Sequence, residues 1–218
     1  MPFGLKNAPT IFSRVVVAIF KEFIHKFLEV YFDDWTIFGL MEKHVGTLRL
    51  MLTKCREHQI SLNLKNYIFC VPFGILLGHV VCRQGMMVDP AMIAIIMNLP
   101  PPTSVKQLHT TLVHTGYDRK FIKGYAQVTV PMEKLLKHVV KYEWTEECQK
   151  SLDILKEKMV TTPILVFLDW KRPFHVHVDA SSISLGIILA QPREGDIDHL
   201  IAFASRKLSS VERNYTTT

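Results

Sequence analysis

The sequence predicts an α+β fold, on three observations. Several stretches repeat apolar residues every three or four positions, which is typical of amphipathic helices. Others are short runs of β-branched and aromatic residues bounded by Asn, Pro and Gly, which is typical of strands. The 218 residues, 48% of them hydrophobic, are enough for one or two folded domains and too apolar for a disordered chain. No apolar run approaches the roughly 18 to 20 residues of a membrane span, so we expect no membrane partner.

The first part of the chain predicts a helix, a hairpin and a second helix. Asn7 followed by Pro9 indicates a helix start, and the apolar spacing continues to about Phe27. Residues 28–38 place the acidic pair Asp33 and Asp34 between apolar flanks, which predicts a hairpin with carboxylates at its tip. The second helix is expected over residues 41–58.

The rest of the chain alternates between strand-like and helical patterns. Capping residues predict helix starts at Asp89, Ser104 and Thr145, and helices are also expected near residues 117–124 and 132–138. The strand-like runs are residues 61–64, 67–71, 75–82, 164–168, 174–178, 184–189 and 200–205. Four cysteines without a paired spacing indicate reduced, mostly buried thiols.

Two adjacent carboxylates at a hairpin tip repel each other unless something neutralises them. At about 4 Å the repulsion is about 1 kcal/mol in water and about 4 kcal/mol at an effective dielectric constant of 20. A pair of divalent ions removes this cost, and all-oxygen ligands suit Mg²⁺ in phosphoryl transfer. An ordinary acidic turn is the alternative for an isolated Asp-Asp pair.

The residues around this pair resemble the reverse transcriptase of gypsy-type LTR retrotransposons. Tyr31, Phe32, Asp33 and Asp34 are similar to its Tyr-x-Asp-Asp turn, although Phe32 is bulkier than usual, and MPFGLKNAP precedes them as in that family. The resemblance continues in the family's order through LNLKNYIFCVPFGILLGHVV, GYDRKFIKGYA, YEWTEECQKSLDILKEKMVTTPIL and PFHVHVDASSISLGIILAQ. It implies part of a polymerase palm at residues 1–86, a thumb at 87–140, a connecting helix at 141–163 and the first part of a ribonuclease H-like domain at 164–218.

The resemblance also implies roles for individual residues. Asp33, Asp34 and Asp179 match catalytic, metal-binding carboxylates, with Mg²⁺ as the cofactor. The residues that match nucleotide- or primer-binding positions are Phe3, Gly4, Tyr31, Gly78 and His79. Strand alternation places His175, His177 and Asp179 on one face of their strand. The two histidines could bind a transition metal, although two His at this spacing are more often ordinary polar-face residues.

In that family further active-site residues precede MPFG and follow ERNY. We therefore expect parts of both active sites to lie outside these 218 residues, and the chain by itself not to extend a primer.

Positive charge is concentrated in the predicted thumb. The net charge of the chain is +6. Six basic and two acidic residues lie between Asp118 and Lys141. Arg119, Lys120, Lys123, Lys134 and Lys137 are the candidate contacts to a nucleic-acid backbone. A solvated helix face is the alternative. Where similar thumbs carry Gly-Tyr-Tyr-Arg-Arg, this chain has Gly-Tyr-Asp-Arg-Lys.

The sequence thus implies a fragment of an RNA-directed DNA polymerase with ribonuclease H. Its partners would be an RNA template, a DNA primer, an RNA:DNA hybrid and, in the intact enzyme, deoxynucleoside triphosphates. The alternative is a remnant or domesticated module that binds nucleic acid without catalysis. No secretion signal is visible at the start, which predicts an intracellular location, in a cytoplasmic particle or the nucleus.

Overall fold

The computed structural model describes residues 6–32, 34–63, 65, 67–137 and 141–215. The chain divides into two compact units, Met1–Pro72 and Phe73–Thr218. Both combine helices with antiparallel strands, which confirms the α+β prediction. Among the described residues no helix combines the length and the apolar character that a bilayer crossing requires.

The first unit packs two helices against one hairpin. Helix α1 spans Ala8–Phe20 and helix α2 spans Met41–Glu57. Strands β1 (Leu28–Tyr31) and β2 (Asp34–Ile37) pair antiparallel between them in sequence. The core of this unit consists of Val16, Phe20, Leu28, Met51 and Cys55.

Helix α1 is shorter than its apolar spacing predicts, ending at Phe20 instead of Phe27. The carbonyl of Phe23 accepts hydrogen bonds from the amides of Lys26, Phe27 and Leu28, and His25 has a φ of +64°. Phe23 and Phe27 still pack on the core of this unit. The apolar spacing therefore persists through a turn, because the turn buries the same face as the helix. Asn7 precedes the helix as predicted, but its side chain makes no capping hydrogen bond.

Two predicted strands in this unit are wrong within the described residues. Residues 61–63 and 67–71 pair with no strand, and Cys70 has a φ of +54°. Ile68 is 73% exposed. A β-branched or aromatic run becomes a strand only where a partner strand and a core face are available. The cysteine prediction is right in part, since all four thiols are free but Cys70 is exposed.

The second unit begins with a three-stranded antiparallel meander. Its strands are β3 (Phe73–Leu76), β4 (His79–Cys82) and β5 (Gly85–Val88). The single predicted strand over 75–82 is thus two strands joined by a turn at Leu77 and Gly78, both of which have positive φ.

A helical layer follows the meander. Its members are α3 (Pro90–Met97), α4 (Val105–Tyr117), a 3-10 turn (Arg119–Phe121), α5 (Tyr125–Val128), α6 (Val130–Lys134) and α7 (Glu146–Val160). The side chains of Asp89, Ser104 and Thr145 accept hydrogen bonds from the amides of Ala91, Gln107 and Cys148, which confirms the three predicted caps. The helices predicted at 117–124 and 132–138 are a 3-10 turn and the shorter α6.

An extended segment joins the meander to the last sheet. Instead of the strand predicted over 164–168, Leu165 exchanges two backbone hydrogen bonds with Met86, at 2.8 and 2.9 Å, and the amide of Val166 donates to the carbonyl of Leu200. Leu165 is fully buried in the main core of this unit. Gly85 makes the approach possible, because a Cβ at this position would lie 2.1 Å from the carbonyl oxygen of Leu165.

The chain closes with a second antiparallel sheet in the order β6–β7–β8, formed by His175–Ala180, Ser184–Pro192 and Asp198–Lys207. Two contacts tie β8 to the helical layer: the amide of Ala126 donates to Ser205 Oγ at 2.9 Å, and Lys207 pairs with Glu133. Every residue of the edge strand β6 is exposed.

Candidate nucleic-acid and metal-binding sites

The β1–β2 hairpin presents Tyr31, Phe32 and Asp34 to solvent at its tip. Tyr31 and Asp34 face each other at the last pair of the ladder, and Phe32 adopts a φ of +51° in the turn. Tyr31 is 54% exposed, and its ring lies edge-on to that of Phe32, with 5.0 Å between the centroids. Trp35 instead packs on Phe20 in the core. One side of the hairpin is therefore anchored, and the tip is accessible.

Asp34 is exposed, and no hydrogen bond or ion pair to its carboxylate is found among the residues that the structure describes. The other predicted members of this site, Phe3, Gly4 and Asp33, lie outside the described residues. No group of three or more His, Cys, Asp or Glu residues that could hold a metal ion occurs within the described part of the chain. Asp34 supplies a hard oxygen ligand of the kind Mg²⁺ prefers.

The tip of the β3–β4 hairpin carries the predicted primer-binding residues Gly78 and His79. Gly78 has a φ of +70° and lies against the Tyr117 ring. His79 is 5% exposed, and its ring stacks between the rings of Tyr117 and Phe121, at centroid distances of 5.1 and 5.4 Å. The primer-binding role of His79 stays a prediction, and in this structure its side chain faces the interior.

A buried hydrogen bond holds His79 in place. Its Nε2 lies 3.1 Å from Asp118 Oδ1, and Asp118 has no exposed surface. The second carboxylate oxygen of Asp118 has no partner among the described residues, which typically costs about 1 to 3 kcal/mol. Asp118, the acid of the Gly-Tyr-Asp-Arg-Lys run, therefore lies in the interior of the protein.

Burial dominates the electrostatics of this pair. It raises the pKa of the Asp118 carboxyl, against the opposing effect of His79. Burial and the nearby Lys120 ammonium together lower the pKa of His79. Near neutral pH the imidazole is therefore uncharged, and its Nε2 shares a hydrogen bond with Asp118 Oδ1.

The candidate backbone-binding cations differ in accessibility. Arg119, Lys123, Lys134 and Lys137 are exposed. Lys120 is partly buried, with its Nζ 3.6 Å from Met86 Sδ and 5.4 Å from the centre of the Phe121 ring. Burial lowers the pKa of Lys120. Four of the five cations are thus free to meet a phosphate, while Lys120 contributes to packing.

The predicted polar face of β6 carries Asp179 at an exposed position opposite Gly186 of β7. His175 Nδ1 and His177 Nε2 both reach the carboxylate of Asp198 on β8, at 2.7 and 2.8 Å. The alternation that placed both histidines on one face is confirmed. Their ring nitrogens bind the two oxygens of one carboxylate, an arrangement that stabilises the sheet and lowers the pKa of Asp198.

Two residues of these sites were absent from the sequence-based candidates. Asp118 is separated from His79 by 39 positions, and Asp198 is separated from His177 by 21. The unusual acid beside the basic pair was a signal for Asp118. No pattern in the sequence indicated Asp198.

Comparison with known families and proteins gives consistent results. Residues 1–81 match the family described as reverse transcriptase (RNA-dependent DNA polymerase), and residues 144–218 match the RNase H-like domain found in reverse transcriptase. The chain is 36% identical to the retrovirus-related Pol polyprotein from transposon opus of Drosophila melanogaster, over 100% of this chain and 23% of that protein. It is 34% identical to the corresponding polyprotein from transposon 297 of the same organism, over 99% of this chain and 20% of that protein.

Solved structures of the foamy viral protease-reverse transcriptase have a similar fold. The complex with dsDNA superimposes with a TM-score of 0.89 at 22% identity, covering 99% of this chain and 45% of that one. The complex with an RNA/DNA hybrid gives a TM-score of 0.85, covering 99% of this chain and 29% of that one. This chain spans about a fifth of the length of the transposon polyproteins. It belongs to the reverse transcriptase and ribonuclease H-like region of retrotransposon Pol polyproteins.

Proposed function

We propose that this chain is a segment of an RNA-directed DNA polymerase with ribonuclease H. In this proposal it supplies metal-binding carboxylates and a surface for the template and primer. The observation that carries the proposal is the β1–β2 hairpin, which presents the exposed carboxylate of Asp34 at a tip anchored in the core by Trp35. Residues 1–86 are assigned to the palm, 87–140 to the thumb, 141–163 to the connecting helix and 164–218 to the start of the ribonuclease H-like domain.

Mg²⁺ is the proposed cofactor of both sites. Asp34, together with Asp33, would hold it at the hairpin, and Asp179 would hold it at β6. Reverse transcriptases generally use divalent ions, and such an ion supplies charge stabilisation at the transferring phosphoryl group. The carboxylates of Asp34 and Asp179 are exposed and have no cation partner among the described residues, which suits this role.

The exposed cations after α4 are the proposed contacts to the nucleic-acid backbone. Arg119, Lys123, Lys134 and Lys137 lie within one short stretch of helical structure. Of the two acids in that stretch, Asp118 is buried and Glu133 is paired with Lys207. The solvent-facing charge is therefore more positive than the composition alone indicates, which favours a polyanion such as an RNA:DNA hybrid.

A binding experiment tests the surface. We expect the chain to bind a fluorescent RNA:DNA hybrid with an affinity that falls steeply with salt. The double substitution Arg119→Gln with Lys123→Gln should reduce the slope of log K against log[salt] by about 2, since each phosphate contact contributes about 0.9. Lys120 is left unchanged because its replacement would also disturb packing.

The matched control is Lys106→Gln with Lys150→Gln, which removes the same charge from exposed positions on α4 and α7. An equal loss of salt dependence in both double variants would mean that net charge, and no particular surface, attracts the hybrid.

A second experiment tests the carboxylate. Paramagnetic Mn²⁺ should broaden the amide resonances of residues 30–35 in the wild-type chain and leave them sharp in Asp34→Asn. Equal broadening in both proteins would remove Asp34 from the metal site.

Primer extension on an RNA template separates the two candidate functions. Extension that disappears in Asp34→Asn supports a polymerase that is active in this segment alone. Salt-sensitive hybrid binding without extension supports the alternative, a segment that binds nucleic acid and does not catalyse. We expect the second result for the isolated chain.

A further inference from the structure

The tip of the β3–β4 hairpin is fastened to the end of α4 by contacts that the reverse transcriptase assignment does not require. His79 Nε2 forms a hydrogen bond with Asp118 Oδ1 at 3.1 Å, and Tyr117 Oη donates to the carbonyl of Leu77 at 2.6 Å. The His79 ring is enclosed by Tyr117 and Phe121. Polar and apolar contacts therefore both hold the β3–β4 hairpin tip against the end of α4.

These contacts lie where two proposed nucleic-acid surfaces meet. Gly78 precedes His79 at the hairpin tip, and Arg119 follows Asp118 directly. The 3-10 turn that carries Arg119 begins with the carbonyl of Asp118 accepting a hydrogen bond from the amide of Phe121, at 2.9 Å. The His79–Asp118 hydrogen bond thus fixes the hairpin tip relative to the first cations of the basic stretch.

We propose that Asp118 is a positioning residue which, by holding His79, sets the β3–β4 hairpin tip and the cations Arg119 and Lys123 in one fixed arrangement for the nucleic-acid backbone. The nucleic-acid part rests on the proposed function, whereas the positioning itself does not. A buried carboxylate with one unpartnered oxygen is costly, and the hydrogen bond to His79 is the polar contact that offsets this cost.

The closing of this contact is linked to pH. The charged groups that act on the pair are Lys120 beside it and Asp89 at the end of β5. The pKa of His79 is lowered when the contact is closed, so an open hairpin tip takes up a proton first as the pH falls below about 6.5. Opening should therefore become more favourable by up to about tenfold per pH unit below 6.5. Asp118 has the opposite linkage, because its raised pKa favours the closed form as the pH falls towards its ordinary value of 3.8. Below the raised pKa of Asp118 the two linkages therefore oppose each other.

Amide hydrogen exchange on the full 218-residue chain tests the proposal. In Asp118→Leu the amides of residues 76–80 should exchange at least tenfold faster than in the wild type at pH 7.5, while the amides of β7 keep their protection. Asp118→Asn keeps an acceptor for His79 and should accelerate exchange by a smaller factor. Asp153→Leu, which replaces an exposed carboxylate on α7, is the matched control and should leave residues 76–80 unchanged.

The pH dependence of amide protection in His79→Gln distinguishes the His79–Asp118 contact from a general packing effect. The glutamine Nε2–H can still donate to Asp118, but this side chain does not titrate. Protection of residues 76–80, corrected for intrinsic exchange, should fall between pH 7.5 and 5.5 in the wild type and should not fall in His79→Gln, where Asp118 is the only member of the pair left to titrate. If Asp118→Leu loses amide protection throughout the second unit, the variant is unfolded. The pH profiles of the wild type and His79→Gln then decide whether the His79–Asp118 contact holds the hairpin tip.

Exchange at residues 76–80 within twofold of wild type in both Asp118 variants would overturn the proposal, as would identical pH profiles for the wild type and His79→Gln. Affinity for the RNA:DNA hybrid is measured in a separate experiment. Asp118→Asn should weaken hybrid binding about threefold with an unchanged salt slope, since no exposed cation is lost, and an unchanged affinity would overturn the nucleic-acid part. A wild-type chain that does not bind the hybrid contradicts the proposed function and leaves the exchange result to decide the positioning role.

Discussion

Replacing Gly85 with alanine should separate β5 from the extended segment that crosses it. The new Cβ would lie 2.1 Å from the Leu165 carbonyl oxygen and 3.0 Å from Ile164 Cγ2. Restoring an ordinary contact requires a displacement of about 1 Å, which carries the 2.8 Å hydrogen bond from the Met86 amide beyond its normal range. Alanine is also strained at the φ of +147° that Gly85 adopts.

The expected loss of unfolding free energy is about 3 to 5 kcal/mol. Two backbone hydrogen bonds to Leu165 contribute about 1 kcal/mol each, and backbone strain contributes about 1 to 3 kcal/mol. Globular domains are stable by only about 5 to 15 kcal/mol, so the second unit should lose a large part of its stability.

Urea unfolding followed by far-ultraviolet circular dichroism and tryptophan fluorescence measures the effect. Trp144 packs against the core of the second unit and reports on it, whereas Trp35 belongs to the first unit. Gly74→Ala is the matched control, because a Cβ on this β3 glycine meets no atom within 4 Å, and it should change stability by less than about 0.5 kcal/mol. A Gly85→Ala variant as stable as Gly74→Ala would refute the reasoning.

Three further outcomes are expected. Lys156 donates to the carbonyls of Met97 and Leu99 at 3.0 and 2.7 Å, so Lys156→Met should cost about 1 to 2 kcal/mol in urea unfolding. Lys150→Met, which loses only an exposed pair on the same helix, should cost under about 0.5 kcal/mol, and equal costs would contradict a stabilising role of the two Lys156 hydrogen bonds. Arg206 holds the pKa of Glu212 at about 2, so the ionised carboxylate stabilises the fold above pH 4.5 and this stabilisation is lost as the pH falls towards 2. NMR titration of Arg206→Gln should find that pKa raised from about 2 but still below 4.5, because the Ser209 amide continues to donate to Glu212, and no rise would exclude the Arg206 pair as a cause. Because both valines of β6 are more than half exposed, the chain should self-associate in sedimentation experiments and do so less when they become threonine, whereas a monodisperse wild type would be evidence against this.

Features that depend only on neighbouring residues could be predicted from the sequence. The caps at Asp89, Ser104 and Thr145 are confirmed because a capping side chain needs only the next two or three amides of its own helix. The shared face of His175 and His177 follows from strand alternation alone.

Contacts between residues that are distant in sequence could not be predicted from the sequence. The run 67–71 has strand composition but pairs with no strand among the described residues, and apolar spacing continues past Phe20 because a turn buries the same face as the helix. The contact of His79 with Asp118 spans 39 positions and depends on how α4 lies against a hairpin. No pattern of neighbouring residues in the sequence predicts this contact.

The pairing of Leu165 with Met86 limits the order in which the chain can fold. Leu165 completes the pairing of Met86, and Val166 in turn pairs with Leu200. During synthesis β5 emerges almost eighty residues before its partner segment, and that segment is itself incomplete until residue 200 has left the ribosome. The second unit should therefore reach its native pairing late, and until then the edge of β5 stays open to pairing with other molecules.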